Sequence, residues 1–181
     1  MRRPLLALLC GLIVVPAAIA APRATGDGVL ELQSVAGTVT IGTAPKPARG
    51  ALWGQMDDGT LKVLDPDGSD KNIFVSGQDK PKVVTDTDYG KVTTYVGHDL
   101  HFRVTGGTYK LFFKGDGIDL TAVGVGVARL AGDPTALTTG TYAVDDAKWT
   151  IVPFFPLASQ SLPVPFGDQT TTAPTTTTSQ P

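Results

Sequence analysis

Both histidines of the chain fall in one tetrapeptide, His98-Asp99-Leu100-His101. Two imidazoles and a carboxylate can ligate a metal or move protons. Their spacing works against a joint site, because strand residues three apart point to opposite faces. A bulge would be needed to bring both to one side. His101 is therefore read as a strand-face residue beside Arg103, with Phe112 across from it, and His98 as a turn residue after Gly97. The alternative is a secreted hydrolase or metal-dependent enzyme using His98, Asp99 and His101.

A second cluster, Asp65-Pro66-Asp67-Gly68-Ser69-Asp70, is rich in the oxygen ligands that calcium prefers. The glycine stands fourth rather than sixth, and Ser76 holds the place of the closing glutamate of an EF-hand loop. A turn shaped by Pro66 and Gly68 is the expectation. Calcium-stabilised adhesion through Asp65, Asp67 and Asp70 is a third reading.

Other reactive patterns are missing. The sequence has no Gly-x-Ser-x-Gly and no phosphate-binding glycine loop ending in Lys-Ser/Thr. Gly124-Val125-Gly126 lacks the third glycine of a dinucleotide site. No catalytic, cofactor-binding or metal residue is assigned, no cofactor is implied, and a non-enzymatic protein is expected. Trp53, Tyr95, Phe112, Tyr142 and Trp149 are candidates for a polysaccharide-binding face. Trp53 and Trp149 are nevertheless expected in the core, since large aromatics carry much of a core's burial.

The elements that must hold these residues read as strands. In residues 28–152 short apolar alternations are broken by Gly and Asp, and no helical period is sustained. Leu100, Phe102 and Val104 alternate with polar residues, then Gly106-Gly107, then Tyr109, Leu111 and Phe113. Gly-Gly suits a two-residue hairpin, which would set Val104 against Tyr109 and Phe102 against Leu111. Asp116-Gly117 reads as the next turn, setting Phe113 against Leu120. Asp58-Gly59 reads as an earlier one, setting Met56 against Leu61. The alternate glycines of Val123-Gly124-Val125-Gly126-Val127 suggest a bend, or the close approach of another backbone or an aromatic ring. The expected fold is an all-β antiparallel sandwich, or flattened barrel, of short hairpin-connected strands.

The ends differ from this middle. Arg2 and Arg3, the apolar run from Leu5 to Val15, and Ala18-Ile19-Ala20 form a signal-peptide pattern over residues 1–20. Leu9 before Cys10 does not fit a lipoprotein signal. Cleavage removes the single cysteine, which excludes cysteine nucleophiles from the mature chain. It also leaves no stable membrane span. Residues 21–27 form a short linker. Residues 153–168 read as a Pro-rich apolar strap, with Phe154 and Phe155 either plugging the core or docking a partner. Residues 169–181 are a low-complexity Thr/Pro tail.

Composition agrees. Of 181 residues 41% are hydrophobic and 18% charged, and the net charge is -2, so nucleic acid is not an expected partner. The acidic residues are sixteen Asp and one Glu, Glu31, a balance that favours turns over helices. The expected setting is extracytoplasmic, at the cell envelope, with an envelope component or a protein as partner.

Two stretches, Asp99–Gly107 and Gly115–Gly126, together resemble small secreted β-domain proteins of actinobacterial type. In these a Gly-Gly pair precedes a Gly-x-Gly-Ile-x-Leu-Ser/Thr-Ala-x-Gly-x-Gly strand. The matching residues serve turns and packing. The resemblance implies an exported β domain and carries over no catalytic position.

Overall fold

The computed structural model describes residues 24–42, 47–65, 72–88, 90–155, 157 and 159–168. The signal-peptide pattern, the Thr/Pro tail and the Asp67–Asp70 turn lie outside the described residues. So does most of the linker, residues 21–23.

Among the described residues nine strands account for nearly all regular structure: β1 (Gly28–Ile41), β2 (Ala48–Asp65), β3 (Ile73–Ser76), β4 (Val83–Thr87), β5 (Gly90–Val104), β6 (Thr108–Gly132), β7 (Thr141–Val144), β8 (Thr150–Ile151) and β9 (Leu162–Phe166). Their order is β3-β5-β2-β6-β1-β7-β8, with β4 also on β5 and β9 also on β6. The protein is all-β and antiparallel. Along both β1 and β2, rising residue numbers meet falling numbers on β6: Gly28 stands beside Gly124 and Ile41 beside Leu111.

The four long strands bend, and the burial pattern shows where. Inward positions on β6 are odd through Tyr109, Leu111 and Phe113, then even from Ile118 through Leu120 and Ala122. β2 changes from Met56 to Leu61, β1 from Leu32 to Val35, and β5 from Tyr95 to Leu100. An extra residue in a strand flips its alternation and sharpens its twist, which is what a bulge does. The backbone agrees at each place: φ is 50° at Ser34, 147° at Gly59, 56° at Asp99 and 63° at Gly117. The bends are neighbours in the register, so the sheet folds over along one line.

Two leaves result. One holds residues 28–35 of β1, 118–124 of β6, 48–56 of β2 and 100–104 of β5, flanked by β7 and β3. The other holds residues 37–41, 110–116, 58–64 and 91–97 of the same strands, flanked by β4 and β9. Beyond Gly124 β6 crosses back, so that residues 37–41 of β1 lie between two lengths of it. Side chains from both leaves fill one core, among them Leu30, Leu52 and Phe102 from the first, and Val39, Leu61 and Phe113 from the second. The Phe102 and Phe113 rings meet with centroids 4.8 Å apart.

This corrects three expected hairpins. Asp58-Gly59 and Asp116-Gly117 lie inside continuous strands and form corners, not turns. Gly106-Gly107 is an arch from one leaf to the other, because β2 lies between β5 and β6 in the sheet order. The Gly124–Gly126 expectation holds: a Cβ on Gly124 would lie 2.1 Å from the Arg49 carbonyl oxygen, and one on Gly126 2.8 Å from the Ala48 Cβ.

The Pro-rich stretch is partly an edge strand. β9 pairs with residues 126–130 of β6. Pro163 and Pro165 face out while Val164 and Phe166 are buried. Proline is tolerated at an edge because its missing N–H need not serve a further strand. Phe154 does not plug the core: it is exposed, and Phe155 is half-buried.

A buried polar group in the core lacks a partner. Tyr109 is buried, and its hydroxyl has no hydrogen-bond partner among the described residues. Burial pushes its pKa well above the ordinary value of 10. A buried hydroxyl without a partner costs about 1–3 kcal/mol. Tyr109→Phe should therefore stabilise the protein by about 1 kcal/mol, seen as a higher denaturant midpoint at unchanged slope. The wild type should lose stability above pH 10, where the unfolded chain ionises first, and the Phe variant should lose less.

Candidate functional site

His98 is not in a turn: it lies inside β5, paired with Asp58, and a bulge with Asp99 at φ 56° stands between the two histidines, where none was expected. The bulge turns both rings outward, but to different partners. His101 Nε2 stands 3.2 Å from Asp99 Oδ1. His98 Nδ1 stands 2.5 Å from Asp79 Oδ2, and its Nε2 stands 3.6 Å from Asp58 Oδ1. The two carboxylates on His98 thus address different ring nitrogens. Among the described residues no three His, Asp or Glu side chains group so as to hold a metal ion.

His98 works as a clamp. Its backbone N–H also donates to Asp79 Oδ2, and the Asp79 N–H donates to the Val96 carbonyl. The segment after β3 is thereby tied to the corner of β5. The hydrogen bond that His98 donates to Asp79, then the charge of Asp58, raises the His98 pKa; the same hydrogen bond lowers that of Asp79. A raised histidine pKa gives stability that is full below the unfolded value of 6.5 and lost as pH rises through the folded value. A lowered aspartate pKa gives stability present above 3.8 and lost as pH falls through the folded value. His98→Ala should lower the melting midpoint most between these limits. The difference should shrink as pH rises through the folded value of His98. The effect is small, because the groups are exposed.

Other aspartates serve the backbone in the same way. Asp119 Oδ1 accepts from the Ser34 N–H at 2.6 Å, holding the β1 bulge. Asp145 Oδ1 accepts from the Val29 N–H at 2.8 Å, and Asp133 Oδ1 from Thr135. A short carboxylate reaches a bend's unpaired N–H, where a glutamate would overreach.

A concave feature lies on the outer face of the first leaf. An open cleft of about 660 Å³ crosses β1, β6, β2 and β5. Its polar lining comes from outward positions: Glu31 and Gln33 on β1, Asp119 and Thr121 on β6, Gln55 on β2 and Arg103 on β5. Trp53 on β2 and Trp149, which precedes β8, also line it. They are 46% and 44% exposed, which corrects their expected place in the core. The error has a physical source. The corner at Gly59 flips the alternation of β2, so parity counted back from Leu61 and Val63 would turn Trp53 inward, whereas Leu52 and Met56 on its own side of the corner leave it facing out. Of the other aromatic candidates Tyr95 is buried, Tyr142 is half-buried on β7, and Phe112 lies under Lys62 on the other leaf.

His101 stands beside Gln55 in the β2–β5 register, at the margin of the cleft, and His98 stands at the corner beside Asp58. Gln33, Gln55 and Arg103 were not singled out by sequence. Their signal was available as outward parity next to Trp53, once the leaf is known. Comparison with protein-family models, with curated proteins and with solved structures finds no match.

Proposed function

We propose that the protein is an exported, non-enzymatic β-sandwich that binds a cell-envelope component through the cleft between Trp149 and Arg103. One observation carries this reading: both tryptophans of the chain stand half exposed along a single cleft that also presents polar side chains. Indoles are among the side chains most costly to leave in water and most useful in binding. The signal-peptide pattern of residues 1–20 supports export, and the Thr/Pro tail suits a wall-spanning or surface setting. Against the hydrolase alternative, His98 is engaged in tying a loop to a corner, and His101 pairs with the adjacent Asp99.

The test is co-sedimentation of the purified protein with a cell-envelope preparation of the producing organism. The wild type and a His98→Ala/His101→Ala variant should pellet, and a Trp53→Ala/Trp149→Ala variant should stay in the supernatant. Equal pelleting of the tryptophan variant would remove the cleft from the reading. Turnover of peptidoglycan, esters or peptides that His101→Ala abolishes would remove the non-enzymatic part.

A further inference from the structure

The chemistry of the cleft narrows its ligand, on the reading that this face is a binding surface. Its lining mixes apolar surface with polar side chains, so a wholly apolar ligand would strand Glu31, Gln33 and Gln55 without partners. It holds two carboxylates, Glu31 and Asp119, against one guanidinium, Arg103. That balance repels polyanions, including nucleic acids and uronate polymers. It lies on the face of a sheet, whose backbone groups are already paired across β1, β6, β2 and β5. An extended peptide that adds as a strand needs an edge instead.

What remains is a ligand with apolar faces and a girdle of neutral hydrogen-bonding groups. We propose that the cleft binds a neutral oligosaccharide of two or three rings. The indoles supply flat, electron-rich faces for the C–H faces of the sugars. The planar amides of Gln33 and Gln55, the Glu31 carboxylate and the Arg103 guanidinium can each meet two hydroxyls at once. From β1 to β5 the cleft crosses three strand spacings, roughly 14 Å, which is about the length of three sugar rings. Trp149 enters from the β7–β8 side and Trp53 stands on β2, so two stacking platforms lie along one path.

The two tryptophans are also the only two in the chain, so the protein reports on its own site. The experiment titrates cellotriose, maltotriose and chitotriose into the purified protein and follows tryptophan fluorescence. Trigalacturonate is the anionic control. At least one neutral trisaccharide should shift the emission with a Kd of about 10 µM to 1 mM. Trp53→Ala and Trp149→Ala should each weaken it about tenfold or more, with Trp53→Phe recovering part of the loss. Unchanged melting midpoints in these variants would show that the fold is intact. No shift with any neutral trisaccharide up to about 10 mM overturns the proposal, as does tighter binding of trigalacturonate. If the protein still pellets with envelope material through its tryptophans, the ligand class alone has failed. If it does neither, the binding surface itself is wrong.

Discussion

Gly124→Ala should destabilise the protein by about 3 kcal/mol or more, and lower its melting midpoint by roughly 10 °C. At φ +147° the glycine holds a backbone that L side chains rarely adopt. An added Cβ would also lie 2.1 Å from the Arg49 carbonyl oxygen and 2.9 Å from the Gly50 Cα. Gly50 stands opposite in the register, and its own Cβ would lie 2.1 Å from the Val123 carbonyl oxygen. Here β2 and β6 approach too closely for any side chain between them. Gly106 separates the two causes. Its φ is +148°, nearly the same, yet nothing lies within 4 Å of where its Cβ would be. Gly106→Ala should therefore cost only the backbone strain, of order 1–2 kcal/mol. A Gly50→Ala/Gly124→Ala double variant should cost less than the sum of its parts, because one separation of the strands relieves both clashes. Equal losses for Gly106→Ala and Gly124→Ala would mean that the close approach contributes nothing.

The same glycines mark the limit of what the sequence discloses. Alternation in Leu100–Val104 and Tyr109–Phe113 did identify inward faces, and all of these odd- or even-numbered apolar residues are buried. What alternation lacks is the partner. A glycine at positive φ serves a two-residue turn and a strand corner equally well, and Asp before it suits both. At Asp116-Gly117 the hairpin and the corner both bury Phe113 and Leu120, so local pattern cannot separate them. The choice is made by distant pairing: Leu61 and Val39 flank Phe113, while Gly54 and Leu32 flank Leu120. The cleft was illegible for the same reason. Trp53, Arg103, Asp119 and Glu31 come from four strands far apart in sequence, and only the register of the first leaf sets them side by side. The excess of Asp was legible as a turn signal. Its use is more specific, since Asp119 and Asp145 satisfy N–H groups of β1 that lie more than eighty residues away.

Phe113→Ala should cost about 3–5 kcal/mol, the range for emptying a fully buried aromatic site. The residue is wholly buried, between Val39 and Leu61 on its own leaf and against Phe102 of the facing leaf. Phe113→Leu should cost much less, since it leaves most of the volume filled. Phe112, one residue back, is only half-buried and carries Lys62 Nζ 6.0 Å from its ring centre, so Phe112→Ala should cost less than about 1 kcal/mol. Chemical denaturation of the variants measures all three. A Phe102/Phe113 double-mutant cycle adds a test of topology. The rings are tilted by 47° at 4.8 Å, a geometry that couples aromatic pairs by about 0.5–1.5 kcal/mol. A hairpin at Gly106-Gly107 would instead set Phe102 beside Leu111, and Phe113 beside Leu100. Coupling of Phe102 with Phe113 in excess of that with Leu111 is thus what two facing leaves require. The reverse order would return the arch to a hairpin and take the first leaf, with its cleft, apart.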